Sequence, residues 1–418
     1  MRIPPFSSDG TSEFDIPKFT GPGLWLAPFE AQGKPFVPQG KRVKPAHRKP
    51  SSPYKGELPF EAQGKQAKPA PFALGFWMPA EWEPHAATWL AWPHEKTDWP
   101  GKFGPIPWVY ADIVRHLSQV ERVRILVENS TMERAVRRIL KSAGANLSAV
   151  DFFHVPTNRG WIRDFGPIFV RNGKGETAAT NWHFNAWAKY NDWKKDDAAN
   201  DKLASKLKWN TWSPSHRGCR VVLEGGSIDV NGRGTMLTTE ECLLSPVQAR
   251  NPGVTREELA AIFRDYLGVT NILWLKNGIA GDDTHGHVDD LARFVNPTTV
   301  VTVVENDPSG ANYQPLQENL ALLREMKDQD RRPLRVETLP MPDPVYFDEQ
   351  RLPASYANFY IANQLLLVPT FNDPRDAKAL TKLAGLFPGR KVVGIACLDL
   401  VLGLGTLHCM TQQEPAHP

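Results

Sequence analysis

Thr255-Arg256-Glu257-Glu258-Leu259-Ala260-Ala261-Ile262-Phe263-Arg264-Asp265-Tyr266-Leu267-Gly268, followed after two residues by Asn271-Ile272-Leu273-Trp274-Leu275, carries one complete helix-then-strand signal. Thr255 and Glu258 stand three apart, the spacing at which each side chain accepts the other's backbone N–H at a helix start. Leu259, Ile262, Phe263 and Leu267 fall on one helical face, and Gly268 supplies the left-handed stop. The short apolar run after it has the length and composition of a buried strand.

The same signs recur in both directions. Ser130 with Glu133 reads as a second capping box before Val136, Ile139 and Leu140. Further helices are expected to begin near Asp196, Pro315 and Pro374, and β-rich runs cover Arg220–Leu223, Leu334–Leu339 and Lys391–Ile395. Helix starts near 131, 196, 255, 315 and 374 are spaced by roughly 60 residues, as an internal repeat of an α/β unit would be. Pattern alone gives the α/β class. It neither separates a repeat from chance spacing nor says how repeats would close.

The segment before Phe76 is different in kind. Residues 1–75 hold 13 of the 37 prolines, and Pro-Phe-Glu-Ala-Gln-Gly-Lys occurs at both Pro28–Lys34 and Pro59–Lys65. A basic, proline-rich stretch without apolar period buries too little surface to offset its ordering entropy, so 1–75 is expected to be a disordered tail, or sequence upstream of a start at Met78, and 76–418 the working domain. Residues 1–68 carry +5, which leaves the rest near −2 against +3 for the whole chain. A near-neutral body argues against a nucleic-acid surface. No apolar run approaches the ~20 residues of a membrane span, and the start at Met1 lacks a signal-peptide core. Cys219, Cys242, Cys397 and Cys409 have no CxxC or zinc-finger spacing, so neither a metal nor a disulfide framework is expected and a reducing, cytoplasmic setting is.

Four segments carry chemistry. Gly403-Leu404-Gly405-Thr406-Leu407-His408-Cys409 places a thiol behind glycines, which a substrate approaching a nucleophile would need and a packed cysteine would not. In Gly286-His287-Val288-Asp289-Asp290, an extended backbone would put His287 and Asp289 on one side; a surface His–Asp pair is the plainer reading of that motif alone. Asp164 follows Trp161-Ile162-Arg163 just before the apolar run Ile168–Val170, where it could bind a cation or merely pair with Arg163. Glu224 precedes Gly225-Gly226, which fits close backbone approach or a simple bulge. One thiol, one imidazole and several carboxylates suit covalent attack on a cationic carbon. Carboxylates hold the forked N–H donors of a guanidinium, a thiolate of lowered pKa attacks its carbon, and one histidine can protonate departing ammonia and then activate water. No cofactor is needed.

Together the segments resemble the agmatine deiminase family of the guanidino-modifying superfamily, to which bacterial peptidyl-arginine deiminases also belong. The resemblance rests on Trp161-x-Arg163-Asp164-x-Gly166-Pro167, Leu223-Glu224-Gly225-Gly226, Gly286-His287-x-Asp289 and Gly403-x-Gly405-x-x-His408-Cys409-x-Thr411-Gln412-Gln413, and it runs from about Phe76, with Met78-Pro79-Ala80-Glu81-Trp82, to Ala416. It implies a pentein fold of five ββαβ units with pseudo-fivefold symmetry. It implies Cys409 as nucleophile, His287 as general acid/base, Asp164 and Asp289 gripping the guanidinium, and Glu224 as a further catalytic carboxylate. Trp161 joins the substrate-binding set, and Asp283 stands where the family places a Glu said to meet the substrate's distal amine. Thr284-His285-Gly286-His287 and Gly403-Leu404-Gly405-Thr406 depart from the family's usual Thr-Asn-Gly-His and Gly-Gly-Gly-Asn.

The implied reaction is hydrolysis of agmatine to N-carbamoylputrescine and ammonia, a step toward putrescine and polyamines, with a small cationic guanidino compound as partner and homo-oligomerisation left open. Deimination of peptidyl or free arginine, amidino transfer, and a non-catalytic pentein-like binding module are the alternatives; the last predicts loss of the cysteine or histidine, and both are present.

Overall fold

The computed structural model describes residues 68–416. The repeated heptapeptide and the tail up to residue 67 lie outside the described residues. The boundary expected at 75 moves, because Lys68–Gly75 packs on the domain. Lys68 Nζ donates to the Thr211 carbonyl at 2.9 Å and to the Asn210 side chain, and it stands 3.6 Å from the centroid of the Trp212 ring. Trp212 Nε1 donates to the Pro69 carbonyl at 2.9 Å. A proline-rich stretch can dock through carbonyls and a cation over an indole without any apolar period.

Five sheets of three or four strands share one connectivity: an antiparallel pair, then a parallel partner reached through a helix. The first pairs Ile168–Asn172 with Thr177–Thr180, then Thr211–Trp212, across the helix Ala199–Leu207. The second pairs Asp229–Val230 with Thr235–Thr239, then Asn271–Leu275, across Arg256–Leu267. The third and fourth repeat this with Ala292–Asn296, Thr299–Val304 and Arg335–Pro340 around Tyr313–Glu325, and with Tyr360–Ala362, Leu365–Thr370 and Lys391–Ala396 around Asp376–Leu386. The fifth is built from both ends of the domain. Gln412–Pro415 pairs antiparallel with His85–Ala91, which pairs parallel with Arg122–Val127 across Ile106–Leu117. The closing strand therefore begins three residues after Cys409.

The Thr255–Glu258 capping box and the Gly268 stop (φ 72°) are present as read. Three other expectations change. The helix near 131 exists as Ser130–Ser142, but it is capped by Asn129, whose Oδ1 accepts from Thr131 and Met132 N–H; Glu133 instead binds Arg137 and His154. It is also an extra helix, leading to the fourth strand of its sheet, Val150–His154. The equivalent of the other four is Ile106–Leu117, which the roughly 60-residue spacing passed over. Pro105 and Pro107 sit at its start, where a missing N–H costs nothing, and Ile106, Tyr110, Ile113, Val114 and Leu117 form its buried stripe. Finally, Arg220–Leu223 is not one strand. Cys219–Arg220 pairs in a short ribbon and Val222 makes a single parallel bridge to His183, while the Asn251 amide takes both the N–H and the carbonyl of Val222 and turns the chain toward Glu224.

Gly268 is more than a stop. A Cβ on it would lie 2.8 Å from Trp77 Cβ and 3.0 Å from Trp77 Cα, in a left-handed backbone. Gly268→Ala is expected to lower stability by about 2 kcal/mol, the sum of left-handed strain and overpacking. Urea denaturation of both proteins checks this, and an unchanged midpoint would contradict the packing described.

Candidate active site

The four motif segments converge. Asp164 lies on the short helical turn Ile162–Phe165, and Arg163 does not pair with it. Arg163 points the other way, to Glu81 (3.1 Å), the Gln413 side chain (2.6 Å) and the His408 carbonyl (3.1 Å). Asp164 Oδ1 accepts the Gly226 N–H at 3.1 Å, and Oδ2 accepts Trp187 Nε1 at 2.8 Å. Gly286–Asp290 is not extended: Val288–Asp290 forms a 3₁₀ turn with His287 as its cap. His287 and Asp289 still share a site, because the turn folds around the imidazole.

His287 is buried inside a cage of carboxylates. Its Nδ1 is 3.8 Å from Asp164 and 4.0 Å from Asp289 Oδ1, and its Nε2 is 3.9 Å from Glu224 Oε2. Burial disfavours the imidazolium, but Asp164, the Cys242 thiol and Glu224 outweigh it and hold the pKa well above the ordinary histidine range. Burial pushes the Asp164 carboxyl up to about 6, with Asp289 and Glu224 adding to the rise. Burial would raise Glu224 as well, but Arg250 at 3.0 Å and His287 hold it down at about 2. Three buried atoms around this cage have no hydrogen-bond partner: His287 Nε2, Glu224 Oε2 and Asp289 Oδ1. The two carboxylate oxygens among them are unpaired buried acceptors, which ask for a cation with N–H donors.

Cys409 stands at the edge of the cage, its Sγ 3.7 Å from Asp289 Oδ2. Asn358 Nδ2 donates to Sγ at 3.1 Å and to Asp290 at 2.9 Å, while Asn358 Oδ1 is held by Thr406 and the His408 N–H. Burial, then Asp289, Asp290 and Asp164, push the thiol well above its ordinary range, opposite to the lowered value a nucleophile calls for. The glycines before it line the approach to the thiol and also serve a second end. A Cβ on Gly403 would lie 2.6 Å from the Trp99 indole, and one on Gly405 would lie 3.0 Å from Trp161 and 3.1 Å from Cys409 Cβ. They let two tryptophans stack against the cysteine loop.

A cleft of about 330 Å³ opens onto Cys409 and Asp164, walled by Trp161, Trp187, Tyr190, Thr284, Gly403 and Gly405. Trp161 lines it as expected, its Nε1 bound to Asp98 at 3.0 Å. Asp283 lines it too, but its carboxylate is occupied: Lys189 binds one oxygen, and Tyr190 OH donates to the other at 2.7 Å. Several residues were missed by sequence reading. Arg250 and Asn358 lie in no motif, and their signal is purely spatial. Trp187 sits in Ala186-Trp187-Ala188, three consecutive left-handed residues (φ 51°, 57°, 54°) with no glycine to announce the turn. Two donor sets, Glu224/Cys242/His287 and Asp289/Asp290/Cys409, bring three ligand atoms each within 4.8 Å and could hold a metal ion; the same acids equally suit a delocalised organic cation.

The profile of the Porphyromonas-type peptidyl-arginine deiminases matches residues 77–415. The chain belongs to this family. The agmatine deiminase of Ectopseudomonas mendocina is 36% identical over 369 residues, covering 83% of this chain and 97% of that one. The solved agmatine deiminase of Enterococcus faecalis superposes with a TM-score of 0.77 at 31% identity, over 85% of this chain and all of that one. A C. jejuni agmatine deiminase solved with substrate bound gives 0.73 at 32% identity, over 81% and 96%. The fold is that of the penteins. Among the described residues, no helix is long and apolar enough to cross a membrane.

Two outcomes test this geometry. A Cβ on Gly226 would stand 2.6 Å from His287 Nδ1, 2.8 Å from Asp164 Oδ1 and 3.0 Å from Asp289 Oδ2. Gly226→Ala should therefore cut kcat by about a hundredfold through displacement of these groups, with circular dichroism unchanged; wild-type turnover would contradict the cage. Because the Cys409 pKa is raised, less thiolate exists at any given pH. Iodoacetamide at pH 7.5 should label the exposed Cys219 before Cys409, and Cys409 labelling in the free protein should climb only as pH rises beyond the ordinary thiol range of about 8.5. Peptide mass spectrometry across pH reads both rates, and preferential labelling of Cys409 at neutral pH would refute the shift.

Proposed function

We propose that this deiminase-family chain hydrolyses a guanidino substrate, with agmatine as its substrate and N-carbamoylputrescine and ammonia as products, through a thiouronium on Cys409. The observation that carries the reading is the meeting of the Cys409 thiol, the His287 imidazole and unsatisfied carboxylate oxygens in a single buried cage at the foot of a cleft. The names of the Ectopseudomonas mendocina and Enterococcus faecalis relatives point to agmatine.

In this reading the guanidinium seats between Asp164 and Asp289. Its positive charge compensates the carboxylates that hold the thiol protonated, so binding lowers the cost of the thiolate and the thiol proton passes to solvent. Sγ attacks the central carbon, forming a C–S bond. Asn358 Nδ2, already donating to sulfur, steadies its charge before attack. His287, protonated at rest, gives its proton to the departing nitrogen; the C–N bond breaks and ammonia leaves. The neutral imidazole then takes a proton from water, whose oxygen attacks the same carbon. The C–S bond breaks as the carbonyl forms, the remaining hydroxyl proton passes to the departing sulfur, and the ureido product leaves with Cys409 restored as the thiol. Glu224, tied to Arg250, keeps the charge beside His287 Nε2 fixed through both transfers. Arg250 and Asn358 act as positioning residues, the first on Glu224 and the second on the cysteine loop.

The test is ammonia release from agmatine, arginine and a blocked peptidyl-arginine, in wild type and in Cys409→Ala. Agmatine should be turned over fastest, and the variant should lose about 10⁴-fold or more while remaining folded. Quenched wild-type reactions should show the amidino adduct on Cys409 by mass spectrometry. An active alanine variant or an adduct on another cysteine would overturn the assignment, and faster turnover of the peptide would replace the substrate.

His287→Ala should stall single turnover at or before the adduct, since both proton transfers are lost. Rapid-quench measurement of adduct against product checks this; complete turnover in the variant would remove His287 from the mechanism.

A further inference from the structure

Three carboxylates line the cleft: Asp164, Asp98 and Asp283. Asp164 belongs to the reacting end, beside His287. Asp98 is buried and doubly tied, to Arg159 and to Trp161 Nε1. Asp283 is held differently. Its partners are the Tyr190 hydroxyl and the ammonium of Lys189, a side chain 40% exposed to solvent. A substrate whose guanidinium lies at Asp164 and whose far end carries a second cation has Asp283 as its accessible counter-charge in the cleft wall. Lys189 already occupies it.

We propose that Lys189 is a specificity-determining residue: a tethered ammonium that competes with a substrate's distal cation for Asp283, weakening recognition of diamine-type guanidines relative to guanidines with an uncharged tail. This rests on the guanidine-deiminase reading of the site. The tether matters because a linked group acts at an effective concentration in the millimolar range, above that of most free ligands. The backbone that leads to Lys189 is the left-handed turn Ala186–Ala188, fixed by the Asn185 side chain on the Ala188 N–H and by Trp187 on Asp164. Gln248 Nε2 lies within hydrogen-bond distance of both the Trp187 and the Asp283 carbonyls, joining the two segments that carry the pair. The ammonium therefore starts from a defined point beside its acid. Its exposed stem leaves it displaceable, so it tunes affinity rather than closing the cleft.

The experiment compares agmatine with butylguanidine, which has the same four-carbon chain and no amine, in wild type and Lys189→Met. If Lys189 holds Asp283 about nine-tenths of the time, apparent affinity for the distal ammonium is reduced about tenfold. The KM for agmatine should fall about tenfold in Lys189→Met, with that for butylguanidine within about twofold and kcat unchanged for both. Adding Asp283→Asn to Lys189→Met should reverse the gain for agmatine alone. An equal change for the two guanidines, an unchanged or higher KM for agmatine, or a gain that survives Asp283→Asn would each overturn the proposal. Absence of turnover of either compound by the wild type is a failure of the deiminase reading instead; calorimetric binding of the same two compounds to the same variants then decides the role of Lys189.

Discussion

One buried carboxylate holds the site together. Glu81 Oε1 accepts from Arg293 at 2.9 Å and from the Ile361 N–H at 2.9 Å; Oε2 accepts from His408 Nε2 at 2.8 Å and from Arg163 at 3.1 Å. Arg293 in turn binds Asp229 at 3.0 Å. These partners come from all five sheets or the segments leading into them. Burial alone would raise the Glu81 carboxyl, yet Arg293, His408 and Arg163 together hold it well below the usual range. A buried ion network of this kind is costly if any member is missing, because the remaining charges have no water. It therefore selects the one arrangement of the five sheets in which every member is paired.

From Glu81 the chain of bonds runs straight to the chemistry. His408 bridges the Glu81 and Asp289 carboxylates, at 2.8 Å and 2.7 Å, through its two ring nitrogens. Asp289 Oδ2 is thereby fixed, leaving Oδ1 free toward His287. The Arg163 N–H takes the Cys409 carbonyl, and its side chain takes Gln413 beyond it, so the cysteine loop is clamped on both sides of the thiol. The resting cage carries more acid than base, with His287 protonated and Cys409 held as thiol. In the proposed mechanism that imbalance is what a guanidinium corrects, its positive charge offsetting the carboxylates that hold the thiol protonated.

Local patterns were legible wherever a few adjacent residues decide the outcome. Thr255, Glu258 and Gly268 specify one helix because capping and left-handed stops act over four residues. The helix at 106 was missed where prolines mask the start of an otherwise clear apolar stripe, and Arg220–Leu223 was misread because a side-chain amide from Asn251 replaces the ladder. In the site, Cys409, His287, Asp164, Asp289 and Glu224 could be picked out since each sits in a short motif. Arg250, Asn358, Trp187 and Lys189 could not, since their part in the site is a contact across tens of residues.

The sequence by itself determined the α/β class, the family and the motifs that carry the candidate site residues, because these rest on short-range spacing and on residue type. Only the tertiary structure decided the protonation of those groups and the occupant of the cleft's far end. The direction in which Cys409 and His287 titrate depends on burial and on charges brought from other sheets, and the engagement of Asp283 depends on Lys189, 94 residues away. Electrostatic energy is set by distance in space and by the exclusion of water, and neither is written in the order of residues along the chain.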